Sequence, residues 1–152
     1  MNTIKSFLVN HDILMPGVYV SRIDGDVTTY DLRFKRPNAE PVLQNDSIHT
    51  IEHLIATYVR NGKYADSIIY FGPMGCRTGF YLLTRGLDNG TVLDIVKDAV
   101  KFTAEYDGEI PGSTSRECGN CKDHNLQKAK ADAEAYYKII ENLTENDMTY
   151  AE

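Results

Sequence analysis

The 152-residue sequence has no tryptophan, only five prolines and only three cysteines. An odd, small number of cysteines argues against a secreted protein that is held together by disulfides. The longest uninterrupted apolar stretches, 68–71 and 80–83, are far shorter than the roughly 20 apolar residues that cross a bilayer. The N-terminus also lacks the apolar core of a signal peptide. We therefore expect a cytoplasmic protein with reduced thiols.

Positive charge is scarce as well, because 16 Lys and Arg stand against 22 Asp and Glu, for a net charge of −6. Phosphate contacts require a surplus of Lys and Arg. We therefore expect neither a nucleic acid nor an anionic membrane as a partner. The hydrophobic fraction of 42% and the charged fraction of 25% are those of a globular chain with one core. We expect a single domain over residues 1–152.

Turn signals and hydrophobic periodicity predict seven main elements. A β-hairpin is expected over Gly17–Phe34, because alternating apolar residues flank the turn at 24–26. A helix is expected from an N-cap at Asp46 or Ser47 to about Arg60, where Asn61 and Gly62 end it. The other predicted elements are a strand over Ser67–Phe71, a turn over Gly72–Gly75, a strand over Phe80–Thr84, a helix over Asn89–Phe102, a loop over Asp107–Gly119 and a helix over Asn125–Leu143. The order β-β-α-β-β-α-α predicts an α+β fold in which helices cover an antiparallel sheet.

The sharpest chemical signal is the segment His49-Thr50-Ile51-Glu52-His53. Histidines at i and i+4 lie one turn apart on the same helix face, so both imidazoles can reach one ion. Glu52 lies beside them, where it can transfer a proton to or from a bound water or a substrate oxygen. The segment predicts a divalent metal site on this helix.

A catalytic metal generally has three protein ligands and one open position. The remaining candidates for the third ligand are Cys118, Cys121, His124 and His11. The segment 118–124 could also form half of a structural zinc site or a redox C-x-x-C motif, although it lies late in the chain, after a long loop. A site of two histidines and one cysteine fits these residues best.

Cys76 lies in the segment Gly75-Cys76-Arg77-Thr78-Gly79, on a tight turn between two predicted strands. A thiol near a cation or a metal can act as a base or nucleophile, whereas a cysteine without such neighbours is a small hydrophobic residue.

Two reactions are compatible with these residues. The His-x-x-Glu-His order matches the inverzincin metalloproteases, in which Glu52 would activate a zinc-bound water. The protease interpretation gives Cys76 no role. The third metal ligand of that class is expected to be a carboxylate, and no downstream glutamate stands out. The alternative is metal-assisted enolisation of a sugar, with Glu52 and Cys76 as the acid–base pair. The enolisation reaction gives a role to more of the candidate residues than the protease reaction does.

Five segments, in the same order along the chain, resemble the S-ribosylhomocysteine lyase family, which makes the precursor of autoinducer-2. They cover about residues 6–135 and are Ser6-Phe7 with Asn10-His11, Tyr30–Phe34 with Pro37-Asn38, Ile48–Leu54, Pro73–Tyr81, and Cys118-Gly119 with His124 and Leu126. One such segment would be weak evidence, but five in order are specific. The resemblance implies a role in autoinducer synthesis for quorum sensing.

The resemblance implies an α+β homodimer with active sites at the subunit interface. It implies Fe(II), which Zn or Co can replace, bound by His49, His53 and Cys118. The implied reaction converts S-ribosylhomocysteine to homocysteine and 4,5-dihydroxy-2,3-pentanedione by carbonyl migration along the ribose and β-elimination. The proton shuttles would be Glu52 and Cys76, and the sugar would be held from the partner subunit by Ser6, His11 and Arg33, the last of which also favours a Cys76 thiolate.

The chain departs from the family pattern at three positions. Tyr70 and Gly72 stand where the family has an aspartate and a serine, which affects the expected contacts to the homocysteine end of the substrate. Cys121 is an additional thiol three residues after Cys118. We expect Cys118 to be the ligand, because the family pattern places the ligand directly before Gly119. The non-enzymatic alternative is a homologue that has lost activity and acts as a metal-binding or signalling module.

Overall fold

The computed structural model describes all 152 residues. Four strands form one antiparallel sheet: β1 (Gly17–Asp24), β2 (Val27–Arg33), β3 (Ile68–Pro73) and β4 (Gly79–Arg85). Their order across the sheet is β1-β2-β4-β3. Three helices accompany the sheet: α1 (Asn45–Arg60), α2 (Asn89–Glu105) and α3 (Leu126–Ile140). The predicted α+β fold is confirmed.

The two faces of the sheet have different roles, because successive side chains of a strand point to opposite faces. Tyr30, Leu32 and Phe80 are buried in the core, and the ring of Phe34, directly after β2, stacks on that of Tyr136 in α3, with 3.8 Å between centroids. The alternate positions of β2, Asp31 and Arg33, belong to the other face, yet they are also buried. Something other than the helices therefore covers this part of the second face.

The helices pack on the first face through regularly spaced apolar residues. In α1 the buried set includes Ile48, Ile51, Ile55 and Val59, which share one side of the helix. α3 begins where the Asn125 side chain accepts a hydrogen bond from the Lys128 backbone N–H. None of the helices is long and apolar enough to cross a membrane.

The predicted helix and strand bounds need a few corrections. α1 begins at Asn45, and its N-cap Gln44 makes no side-chain capping bond, so the predicted cap at Asp46 or Ser47 is wrong. α3 ends at Ile140 instead of Leu143, and α2 runs on to Glu105. The strand β3 continues through Gly72 and Pro73, because both pair with β4. Three short 3-10 helices, Lys5–Phe7, Ala65–Ser67 and Glu145–Asp147, have no clear sequence signal.

Candidate metal centre and catalytic site

Four side chains from two parts of the chain converge on one point. His49 and His53 come from adjacent turns of α1, and Cys118 and His124 come from the segment before α3. Their ligand atoms all lie within 4.8 Å of one another. Cys118 Sγ is 3.3 Å from His49 Nε2 and 3.8 Å from His124 Nε2. The predicted convergence of the helical histidines with Cys118 is present, and His124 joins them.

Hydrogen bonds orient the two histidines of α1 toward this point. His49 Nδ1 lies 2.9 Å from the carbonyl oxygen of Asp123, and His53 Nδ1 lies 2.9 Å from that of Pro111. A carbonyl only accepts, so Nδ1 is the donor in both rings, and the neutral tautomer of each ring leaves a lone pair on Nε2. The Pro111 carbonyl is followed by Gly112, whose φ of +67° favours glycine.

His124 is oriented by a side chain of α1. Its Nδ1 lies 3.1 Å from Thr50 Oγ1. The Thr50 hydroxyl donates its one hydrogen to the Asp46 carbonyl, and its oxygen accepts a hydrogen bond from the Asn125 backbone N–H. His124 Nδ1 must therefore be the donor to Thr50, which leaves Nε2 free as well. Burial, and the neighbouring His49 and His53, lower the pKa of His124, which favours this neutral form.

The ring planes orient His124 differently from the way they orient the two helical histidines relative to each other. An imidazole binds a metal along a lone pair in its own plane, at about 2.0–2.1 Å. The rings of His49 and His53 are perpendicular, with an interplanar angle of 90°, so their lone pairs can meet. The rings of His49 and His124 are stacked, with 3.9 Å between their centroids and 23° between their planes. The two planes therefore meet farther from the rings than a metal–nitrogen bond reaches. This geometry favours His49, His53 and Cys118 as a ligand set over one that includes His124.

The donor set fits a divalent transition metal. Two imidazole nitrogens and one thiolate suit borderline ions such as Zn or Fe(II), whereas Mg or Ca would need oxygen ligands. Cys121 does not belong to the converging group, although it is only three residues from Cys118.

Glu52 and His53 line an open cavity of about 380 Å³ next to the metal-ligand group. Its other walls include Tyr70 and Phe71 of β3 and Gly112 of the loop before α3. The cavity thus places a half-buried carboxylate beside the histidine face of α1. Such a carboxylate can exchange protons with a small molecule that also reaches the ion.

Cys76 belongs to a second cluster, on the turn between β3 and β4. Its Sγ is 3.0 Å from Thr78 Oγ1 and 3.9 Å from Arg33 Nη1. Arg33 also donates to Thr78 Oγ1 at 2.9 Å. The next residue, Arg77, has a φ of +60°, which is unusual for a residue with a side chain. Cys76 is exposed, and its Sγ faces the buried Arg33 guanidinium.

Ser6 and His11 lie on the N-terminal arm, which we define as residues 1–16. Ser6 is exposed within the first 3-10 helix, and His11 Nδ1 lies 2.8 Å from the Val9 carbonyl oxygen. No hydrogen bond joins the arm to the four-residue metal group within one chain, and none joins Cys76 to Glu52. The sequence-predicted site residues thus form three separate groups: the metal side with Glu52, the Cys76–Arg33 cluster, and the arm.

Sequence reasoning missed several residues that support these groups. Thr50 has the features of a core helix residue, and only its contact with His124 and Asn125 reveals its role. Asp31 pairs with Arg33 two residues away on the same strand face, which their spacing could have indicated. Nothing in the sequence marks the Pro111 carbonyl as a partner for His53.

Comparison with known proteins identifies relatives over the whole chain. Residues 4–147 match the family described as S-ribosylhomocysteinase (LuxS). The S-ribosylhomocysteine lyases of Finegoldia magna and Clostridium acetobutylicum are each 47% identical to this chain, and each match covers 100% of both sequences. The S-ribosylhomocysteine lyase of Borreliella burgdorferi is 44% identical over 99% of both sequences.

Proposed function

The chain belongs to the S-ribosylhomocysteinase family, and on that basis we propose that it is a carbon–sulfur lyase acting on S-ribosylhomocysteine. It cleaves the thioether to give homocysteine and 4,5-dihydroxy-2,3-pentanedione, the precursor of autoinducer-2. The observation that carries this proposal is the convergence of His49, His53 and Cys118 beside Glu52, in a chain that matches the family from residue 4 to residue 147. The metalloprotease alternative is set aside, because the named relatives are lyases.

We assign the metal to His49, His53 and Cys118, with Fe(II) as the ion and Zn or Co as substitutes. The perpendicular rings of the two helical histidines support this set, and the stacked ring of His124 supports a neighbouring role for that residue. The bound ion supplies Lewis-acid polarisation of a sugar oxygen. A ferrous ion beside a thiolate suits a reducing cytoplasm, where we place the protein.

Glu52 and Cys76 are the proposed proton carriers. Each takes a proton from one carbon or oxygen of the ribose chain and returns it to the neighbouring one, which moves the carbonyl along the sugar. Once one carbon separates the carbonyl carbon from the carbon that bears sulfur, removal of the proton on that middle carbon breaks the C–S bond. Homocysteine leaves as a thiolate and then takes up a proton. Arg33, at 3.9 Å from Cys76 Sγ, favours the thiolate that accepts a proton.

We further propose a homodimer whose active sites lie at the subunit interface. The N-terminal arm exposes large apolar side chains, with Phe7 at 74% and Leu8 at 68% of their full accessible area, and a partner would cover them. The arm also carries Ser6 and His11, which no hydrogen bond links to the metal side of their own chain. An arm that reaches the partner's site would hold the sugar there.

The first test of the function compares Glu52→Gln with the wild-type enzyme. Glutamine keeps the shape of the side chain but cannot carry a proton, so we expect a loss of turnover of at least about 100-fold with metal content unchanged. Glu134→Gln, on the exposed side of α3, is the matched control and should retain activity. The measurement is the rate of thiol release from S-ribosylhomocysteine, followed with a chromogenic reagent. Full activity of Glu52→Gln would remove this residue from the proton transfer.

The shared site is tested by mixing two inactive variants. Glu52→Gln inactivates the metal side of its chain, and His11→Ala inactivates the arm of its chain. If the arm completes the partner's site, both defects of a mixed dimer fall in the same site, and the other site is intact. We expect thiol release to reappear when the two variants are refolded or exchanged together. If each site is built from one chain, mixing will restore nothing, although each variant alone still sediments as a dimer.

A further inference from the structure

The C-terminal segment after α3 returns to the sheet and packs against it. The backbone N–H of Val20 in β1 donates to the Met148 carbonyl at 2.8 Å, and the Met148 side chain is buried. The Tyr150 ring then stacks on Tyr19 of β1 at 4.9 Å and 23°. Tyr150 is therefore fixed over the sheet face that carries Asp31 and Arg33.

Tyr150 ends a continuous chain of contacts that leads to Cys76. Its hydroxyl donates to Asp31 Oδ2 at 2.6 Å. Asp31 accepts two hydrogen bonds from Arg33, Nε to Oδ1 at 3.1 Å and Nη2 to Oδ2 at 2.6 Å. The remaining Arg33 nitrogen, Nη1, faces Thr78 and the Cys76 sulfur.

The sheet provides room for this arrangement. Arg33 is opposite Gly17 in β1 and opposite Gly79 in β4, and residues paired across strands share a face. Neither neighbour has a side chain, and the Tyr19 ring lies over Gly17, on the face where the guanidinium joins Asp31 to Thr78. Asp31 and Arg33 are 1% and 3% exposed, so water does little to screen the charges.

The groups around Arg33 that can ionise are mostly neutral. Burial first, and the negative charge of Asp31 second, raise the pKa of Tyr150, Tyr19 and Tyr81, so their hydroxyls stay protonated. Burial opposes the charge of Arg33, but the hydrogen bonds and charge of Asp31 outweigh it and raise its pKa. The buried charges that act on Cys76 are thus Arg33 and Asp31, with the exposed Arg77 beside it in the chain.

The hydroxyl of Tyr150 changes how these two charges act on the thiol. Arg33 and Tyr150 share the same carboxylate oxygen, Asp31 Oδ2. A hydrogen bond from Tyr150 draws negative charge toward that hydroxyl and holds the carboxylate in place. Without it, the Asp31 carboxylate would be less firmly held, and more of its negative charge would act on Arg33, which would lower the positive potential at Cys76.

We propose that Tyr150 is a positioning residue for the Cys76 thiol, acting through Asp31 and Arg33, so that the C-terminal segment forms part of the proton-transfer machinery. The proposal deepens the lyase function and rests on it only for the role of Cys76 in turnover. The contact between Tyr150 and Arg33 through Asp31 stands independently.

The test replaces Tyr150 with phenylalanine, which keeps the ring stacked on Tyr19 and removes only the hydroxyl. The matched control is Tyr30→Phe, because Tyr30 is on the same strand as Asp31 but faces the core and donates to Asn89 Oδ1 at 2.7 Å. Both variants lose one tyrosine hydrogen bond, and only one of these bonds leads to Arg33.

The primary measurement is the rate at which iodoacetamide alkylates Cys76 in the metal-loaded protein, followed across pH 6 to 10 by mass spectrometry of the peptide that contains it. We expect Tyr150→Phe to move the midpoint of the pH profile upward and to slow alkylation at pH 7 by about threefold. Tyr30→Phe should leave the profile unchanged. An unchanged profile in Tyr150→Phe, or an equal shift in both variants, would overturn the proposal.

Turnover separates this proposal from the lyase function itself. If both hold, Tyr150→Phe lowers kcat for thiol release and leaves KM near the wild-type value. If wild-type protein releases no thiol but the alkylation profile still shifts, the lyase proposal fails while the coupling of Tyr150 to Cys76 stands. If thiol is released normally and the profile does not move, only the coupling fails.

Discussion

Cys118 and Cys121 are two thiols three residues apart with different surroundings. Cys118 Sγ lies against His49 Nε2 at 3.3 Å, and Cys121 is outside the converging group. We expect Cys118→Ala to lose bound metal and Cys121→Ala to keep it, because two imidazoles alone are a weak site for a divalent ion. Metal analysis of the two purified variants, each checked for its fold by circular dichroism, decides the question. Equal loss from both would mean that the ligand is wrongly assigned.

Tyr70 and Gly72 depart from the family pattern together, and the structure gives a steric reason. A Cβ atom at Gly72 would overlap the hydroxyl and ring of Tyr70. Tyr70 also lines the cavity that contains Glu52 and His53. The tyrosine can therefore lie over β3 only because residue 72 is a glycine.

This steric link predicts that substitutions at the two positions are not additive. Gly72→Ser should displace the half-exposed Tyr70 ring and raise KM for the substrate. Adding Tyr70→Asp should restore part of the loss, with a coupling energy of about 0.5–3 kcal/mol, as for residues in contact. The KM values of the two single variants, the double variant and the wild type give the coupling. Strict additivity would show that the two positions act independently.

At the scale of elements, Thr50 joins α1 to the start of α3. Its Oγ1 accepts from the Asn125 backbone N–H at 3.0 Å and from His124 Nδ1 at 3.1 Å. Valine has the same shape but no oxygen, so Thr50→Val leaves two donors without their partner. We expect the free energy of unfolding to fall by about 1–3 kcal/mol.

The matched control for Thr50→Val is Thr57→Val, an exposed position on the same helix. Urea unfolding of the metal-free proteins measures both effects. Because we propose that His124 lies beside the ligands and not among them, Thr50→Val should still bind one ion. A stability loss no larger than that of Thr57→Val would contradict the assigned role of the hydroxyl.

The elements differ in how well their sequences predict them. The apolar period of α1 and the Asn61-Gly62 stop are local signals, and the helix ends at Arg60 as predicted. Its predicted start is too late, because Asp46 is a good cap by residue type but the helix already begins at Asn45, with no side-chain cap. The predicted end of α3 is too far along the chain, since Leu143 fits the helical period but follows the last helical turn.

The sequence predicts the site residues that belong to a short motif, but not those that depend on contacts between distant parts of the chain. The spacing of His49 and His53 and the turn around Cys76 could be read along the chain. Whether Cys118, Cys121 or His124 completes the metal group depends on how a long loop folds back onto α1, which no local pattern encodes. The contact of Tyr150 with Asp31 spans 119 residues and has no sequence signal at all.

At the scale of the whole molecule, one chain holds all the proposed reactive groups but distributes them over separate places. α1 and the segment before α3 carry the metal side, the β3–β4 turn carries Cys76, and the arm carries Ser6 and His11. The exposed Phe7 and Leu8 supply an apolar surface next to Ser6. A dimer that buries this arm would unite the groups, which is why oligomeric state and activity should be lost together on truncation of the arm.

The lyase function is tested by measuring free thiol released from S-ribosylhomocysteine by anaerobically purified, Fe(II)-loaded protein, with a chelator-treated sample beside it. We expect stoichiometric homocysteine from the loaded protein, none from the chelated sample, and recovery when Fe(II) is returned. No release from folded protein that contains one ion per chain would contradict it.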